Sequence, residues 1–371
     1  MSEDSIQLKT NKFDINVEEL EYHHVDGVHA SFLNLKFSGK DFNIKLMNSI
    51  RRASVNNVPT YAIAQEAIKI DINTAVAFNN DYMKLRLSQL PVLGVDSGLS
   101  FLPEKYWHKT KVNFSDQKRD KHPAERAVEF YINAHNNSAD VVPVTTNDMK
   151  MYIDGEEVYP YDKKYPILLI QLRPNNRFKC YMKAFLGTGD RNIVWAASRN
   201  SYYHEDETAD EDNEHKDIYF TIEGNNQCNE YEILVRSCKF LIKKYSDLKR
   251  DLETRIAAKQ ILPEKVIYLK LDNENHTIGE PMNYEFQNHP DIIRSGVTKP
   301  DQLVESMLIK VEAAPKVKSP LDAMLESIDI TIKKLSHVGK LIDDMNPEKG
   351  AKKSSKKTEE KPDTKKTKKI N

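Results

Sequence analysis

Two stretches near the N-terminus alternate apolar and polar residues, and the stretch after them switches to a helical period. FDINVEELEYHHVDGVHASFLNLKFSG reads as two strands joined near Asp26-Gly27. In KDFNIKLMNSIRRASVNNVPT, Phe42, Leu46, Ile50 and Ala53, with Met47 beside them, line one helical face, and Pro59 stops the pattern. YAIAQEAIKIDINTAVAFNNDYMKLRLSQLPVL continues as a strand, a polar turn and a short helix over Tyr82 to Leu87 that ends before Pro91.

Residues 95 to about 165 change character: turns dominate, with VEFYINAHN and MKMYIDGEEVYP as the clearest strands, as in an insertion packed at one end of a framework. YPILLIQLRPNNRFKCYMKAFLG then gives two strands joined by a Pro-Asn-Asn turn. An acidic loop from Glu205 to Asp217 precedes the strand KDIYFTIEG. Two long helices follow. The first has an apolar seam of Leu234, Cys238, Leu241, Tyr245, Leu248, Leu252 and Ile256. The second has Leu321, Leu325, Ile328, Ile332, Leu335 and Ile342, interrupted by Gly339. Steps of four and three are the spacing of helices that pack side by side. Between the two helices lies a strand, a turn, a short helix and two more strands.

The order of strands, helix, strands and long helix thus occurs over residues 8–258 and recurs, shortened, over 264–346. The pattern predicts an α+β protein of two related modules paired through helices, the larger carrying a β-rich insertion. Its expected domains are a pairing domain (8–94 and 166–258), an inserted domain (95–165), a small pairing domain (264–346) and a tail (347–371).

Charge sharpens this picture. The 371 residues carry a net charge of −1, but the segment from Pro347 to Asn371 holds ten lysines against four acidic residues, which leaves 45 basic and 52 acidic residues elsewhere. The folded part therefore has no basic excess with which to grip nucleic acid, and the Lys-rich tail cannot bury apolar surface and is expected to be disordered. That tail reads as a solubilising extension, a weak contact for nucleic acid or an acidic partner, or a localisation signal. Three cysteines without a C-x-x-C spacing suit a reducing compartment and argue against a cysteine zinc site. No apolar run of 18 residues and no N-terminal hydrophobic leader occurs, so a soluble intracellular protein without a membrane partner is expected.

The residues from Gly39 to Leu93 resemble the hallmark of the alpha-like subunits of multisubunit DNA-directed RNA polymerases. The motifs are Asn48-Ser49-Ile50-Arg51-Arg52, Val58-Pro59-Thr60, Asn73-Thr74-Ala75-Val76 and Arg86-Leu87 leading to Leu90-Pro91-Val92. LLIQLRPNNRFKCYMKAFLGTGDRNIVWAAS is similar to the larger, third-subunit type, and NHTIGEPMNYEFQNHPDIIRSGVTKPDQLVESMLIKVEA to the smaller, eleventh-subunit type. Both halves in one chain resemble the polymerase subunit of large eukaryote-infecting DNA viruses. The resemblance implies a non-catalytic assembly platform that docks the two largest polymerase subunits, with small zinc-binding subunits as further partners and DNA and RNA reached only through the complex. It implies that Asn48, Arg51, Arg52 and Arg86 face the large subunits. Intramolecular pairing would use Phe42, Leu46, Ile50, Leu234, Cys238, Leu241, Tyr245, Leu248, Leu325, Ile328, Ile332 and Leu335. No zinc is expected in this chain, since the cysteine cluster of some relatives is missing, and the catalytic Mg²⁺ belongs to the largest subunit. Work in the host cytoplasm, in viral factories, and packaging in the virion are implied, with the nucleus as an alternative.

Candidate chemistry is weighed against this reading. His276 lies among Asp272, Glu274 and Glu280, as in a hydrolase site, but no second His or Cys stands at ligand spacing. The competing reading has His276 and Thr277 closing the turn before a helix, the hydroxyl accepting an orphan backbone N–H and Gly279 supplying an unusual dihedral. Pro281, where relatives commonly carry Leu, fits a first helical turn; if it lies deeper, the helix starts later than in relatives. His23, His24 and His29 as ligands are disfavoured because neighbouring strand residues point to opposite faces. Asp41, Asp71 and Asp81 form no motif. From pattern alone, Arg51 and Arg52 read as a solvated helix face, and a simple coiled-coil dimer is an alternative for the seams. The alternative function is a free-standing nucleic-acid-binding protein acting through the basic tail.

Overall fold

The computed structural model describes residues 13–24, 31–75, 77–107, 120–206 and 216–348. The chain opens with the antiparallel pair β1 (Asn16–His23) and β2 (Phe32–Ser38) and helix α1 (Ile44–Asn56). Next come β3 (Thr60–Asn73) and α2 (Asn80–Ser88). The strands β4 (Val128–His135), β5 (Val142–Thr145), β6 (Met149–Ile153), β7 (Glu156–Val158), β8 (Leu168–Leu172) and β9 (Arg177–Gly187) follow. The first module closes with β10 (Ser198–Glu205), β11 (Ile218–Gly224) and the long helix α3 (Glu230–Ala257). The small module is β12 (Val266–Asp272), α4 (His276–Gln287), β13 (Ile292–Thr298), β14 (Ser306–Ala313) and α5 (Leu321–Met345).

Local chemistry explains most of these boundaries. Four helices open on an asparagine whose side chain accepts a backbone N–H of the first turn: Asn43 for α1, Asn79 for α2, Asn229 for α3 and Asn275 for α4. Glu230 and Glu232 in the first turn of α3 add favourable charge at its positive end. In β2 and β11, strict alternation sends Leu33, Leu35 and Phe37 and then Ile218, Phe220 and Ile222 to the same buried face, and the register sets Phe220 beside Leu35.

The module repeats. Its sheet runs β1-β2-β11-β10 in the first copy and β12-β14-β13 in the second. Strand, helix, strand, strand and helix recur with the same lateral order, β2, α1, β10, β11 and α3 answering to β12, α4, β13, β14 and α5. All the pairings are antiparallel. Both modules share one continuous core, with Leu46, Ile50, Leu241 and Tyr245 in the same cluster as Met282, Phe286, Ile328 and Leu335.

The insertion begins and ends elsewhere than expected. The strands β3 and β9, assigned from sequence to the pairing domain, form one sheet with β4, β6 and β7 in the order β3-β9-β4-β6-β7. A second core runs from Tyr61 to Leu186. The inserted body therefore spans about 60–187, not 95–165. Composition marks where turns become dense, but the partner of an alternating strand is set by tertiary pairing and not by its own pattern. Trp195 sits at the neck of the insertion. Its indole N–H donates to the Phe185 carbonyl at 2.9 Å, and its ring leaves no room for a side chain at Gly187, where a Cβ would come within 2.7 Å.

Candidate functional site at the helical layer

Equivalent helices of the two modules face each other. The helices α3 and α5 run antiparallel, a register fixed by three contacts along their length. The Asn229 amide donates to Asn346 at 3.3 Å, Gly339 packs on Cys238, and Lys249 reaches Asp329 at 2.6 Å. The buried α3 seam holds Leu234, Cys238, Leu241 and Tyr245, with Leu248 half-buried at its edge. On α5, Ile328 and Leu335 are buried, but Leu325 and Ile332 are only half-buried and flank the seam. Met324, Thr331 and Val338 take the inner positions. Burial pushes the Cys238 thiol up to about 12, so it is a packing residue and not a thiolate.

Helix α1 lies on its equivalent, α4. Phe42, Leu46 and Ile50 are buried on the core side. The Ser49 hydroxyl donates to the Thr277 carbonyl at 2.7 Å, and Arg52 Nε donates to Thr277 Oγ1, also at 2.7 Å. From α3, the Tyr245 hydroxyl donates to the Ile278 carbonyl at 2.9 Å, and Lys244 pairs with Glu274 at 2.7 Å. Inside the small module, Lys334 of α5 and Glu285 of α4 form an ion pair at 2.8 Å whose side chains are 8% and 10% exposed.

The turn residues differ from expectation in two respects. The cap of α4 is Asn275, whose Oδ1 accepts the Thr277 N–H at 2.9 Å, so Thr277 is not the cap but the contact point for α1. Gly279 has no left-handed backbone. Its lack of a side chain instead makes room for Met307, since a Cβ would lie 2.5 Å from Met307 Cε and 3.0 Å from Val297 Cγ2. His276 is 46% exposed and its Nδ1 lies 3.1 Å from Glu280 Oε1. Among the described residues, Glu280 is the side chain that its ring contacts, as in an ordinary i, i+4 pair on a helix surface. Pro281 is the sixth residue of α4, deeper than a first turn, and the helix nevertheless begins at His276.

The four polar residues expected to face large subunits are not gathered into one cluster. Asn48 Oδ1 accepts from Arg51 Nε and Nη2 at 3.1 and 3.0 Å on the half-buried face of α1. Arg52 is engaged with Thr277. Arg86 is exposed on α2, against the second core, and donates to the Leu168 carbonyl at 2.8 Å. His23 stacks on Phe32 and His24 on Tyr22, while His29, Val76, the Asp26-Gly27 turn, most of the acidic loop and nearly all of the Lys-rich tail lie outside the described residues. Asp41 accepts the Asp14 N–H, whereas Asp71 pairs with Lys69 and Lys179.

Sequence reasoning missed the joint between the insertion and α3. Arg236, 4% exposed in its side chain, makes a bidentate pair with Asp96 at 2.6 and 2.5 Å and a further bond to Glu232. Gln227 pairs with both backbone groups of Tyr61. Only an Arg on an otherwise apolar helix face signalled it.

Against this geometry, the chain matches the family model of the RNA polymerase Rpb3/Rpb11 dimerisation domain over residues 36–245, from the end of β2 to the middle of α3. It is 24% identical over 329 residues to a protein named as a DNA-directed RNA polymerase subunit in Acanthamoeba polyphaga mimivirus, covering 84% of this chain and 90% of the relative. It is also 24% identical over 179 residues to subunit 3B of the DNA-directed RNA polymerases IV and V of Arabidopsis thaliana, covering 45% of this chain and 52% of that protein.

Proposed function

Because the chain belongs to the RNA polymerase Rpb3/Rpb11 dimerisation-domain family, as an alpha-like polymerase subunit of the viral kind, we propose that it is the assembly platform of a viral DNA-directed RNA polymerase. Residues 13–59 and 188–258 act as the third-subunit-like half, residues 264–346 as the eleventh-subunit-like half, and the body of about 60–187 as an insertion in the former. The two halves in one chain replace a heterodimer, and the pair docks the two largest subunits. Small zinc-binding subunits cover further surface, and DNA and RNA are reached through the complex. The chain itself carries no catalytic group, the nucleotidyl transfer and its Mg²⁺ belonging to the largest subunit. Viral factories in the host cytoplasm, and the virion, are the proposed places of action.

The observation that carries this reading is the repeat: α1 lies on its counterpart α4 and α3 on its counterpart α5. That isologous arrangement is what a two-fold pair of like modules makes. Linking the halves covalently raises their effective concentration, so intramolecular pairing wins over pairing with another chain.

The test is affinity purification of the tagged full chain from producing cells, washed at high salt. Two very large subunits in roughly equal amount are expected. The chain recovered alone, or only with nucleic acid, overturns the platform reading.

A further inference from the structure

Helix α4 contains a proline at a place where a helix needs an N–H. A helical N–H bonds the carbonyl four residues back, and the proline ring both lacks that donor and crowds that carbonyl. For Pro281 the carbonyl is that of Thr277. It is not left empty: the Ser49 hydroxyl of α1 points at it from 2.7 Å, closer than the 3.1 Å to its own helix's Lys45 carbonyl. Ser49, Thr277 and Pro281 are all buried, and the bond between the hydroxyl and the carbonyl is a buried one. The next carbonyl, of Ile278, receives the buried Tyr245 hydroxyl of α3. The first turn of α4 is thus held by donors from the other module, one on each of two helices.

We infer that Ser49 and Pro281 form a matched pair that determines which helix α4 accepts as its neighbour. The proline creates a buried acceptor that the donor at position 49 satisfies. A partner helix with an apolar residue there leaves a desolvated carbonyl unpaired, at a cost on the order of ten- to a hundredfold in the pairing equilibrium. Selection of this kind works by penalising the wrong partner and not only by rewarding the right one. Its consequence for subunit choice, that this small half prefers its own large half over a foreign one, rests on the platform reading, whereas the coupling itself does not.

The experiment is a double-mutant cycle on the full chain, comparing the parent, Ser49→Ala, Pro281→Ala and the double variant. The readout is hydrogen exchange of the α4 amides at residues 282–287, which reports opening of this joint without requiring global two-state unfolding. Pro281→Ala restores a backbone N–H for the Thr277 carbonyl. Ser49→Ala is expected to lower protection about ten- to a hundredfold in the parent and by less than about threefold in the Pro281→Ala background. Equal losses in the two backgrounds, or no loss in either, overturn the inference. Either result is independent of whether large subunits co-purify, so its failure is distinguishable from failure of the platform reading.

Discussion

Gly339 of α5 crosses Cys238 of α3 so closely that a Cβ built on the glycine would lie 3.2 Å from the Cys238 Cβ. The interruption in the apolar seam is therefore a point of close helix approach and not a defect in it. Gly339→Ala sets a gain in helix propensity of about 1 kcal/mol against a contact that must give by a few tenths of an ångström, and near-neutral stability is expected. Gly339→Leu forces the helices apart and is expected to lose about 1–3 kcal/mol. Chemical denaturation of the two variants checks this; a Leu variant as stable as the parent would mean that the crossing is loose.

The Lys334–Glu285 pair is nearly dry, and removing one partner of such a pair costs about 3–5 kcal/mol, whereas replacing both by apolar residues is often neutral. Lys334→Met alone should be strongly destabilised, and Lys334→Met with Glu285→Leu should recover most of the loss. Burial already pushes the Glu285 carboxyl above the ordinary carboxylate range, against the pull of Lys334. Without Lys334, the folded state favours protonated Glu285. The deficit of the single variant should then shrink as pH is lowered and grow as pH rises through that folded value. Melting curves at several pH values read both effects.

At the joint with the insertion, burial works to raise the Asp96 carboxyl, but the Arg236 fork outweighs it and holds the group below its usual value. A carboxylate depressed in the folded state adds stability above its unfolded pKa of about 3.9, and that stability is lost as pH falls through the lower folded value. Asp96→Asn should therefore melt earlier at pH 7, and its difference from the parent should close on acidification below about pH 4. A difference that stays constant from pH 7 to 3 would contradict this assignment.

Arg51 and Arg52 allow the proposed docking to be tested apart from pairing. Among the described residues, the Arg51 side chain bonds within α1, to Asn48, so Arg51→Glu should leave melting within about 0.5 kcal/mol of the parent while reducing recovery of the large subunits. Arg52 donates to Thr277, and Arg52→Ala should lose about 1 kcal/mol of stability whatever it does to recovery. Undiminished co-purification of Arg51→Glu would remove Arg51 from the docking surface.

What the sequence determined by itself was local: the helical period of α1, α3 and α5, the alternation of β2, β11, β12 and β14, and the doubled order of elements. Dihedral preference and side-chain periodicity act over a few residues, so they are legible without a partner. The asparagine caps are of the same kind and could have been read, since each stands just before a periodic run. The tertiary structure decided the rest. It moved β3 and β9 into the insertion's sheet, because strand pairing depends on which edges meet. It turned α5 so that Met324 and Thr331 face inward in place of Leu325 and Ile332. It made Gly279 a matter of space for Met307, and it supplied from α1 and α3 the donors that the first turn of α4 accepts. Each of these is a relation between residues distant in sequence, and a buried polar group or a missing side chain acquires its meaning only from the neighbour that folding brings to it.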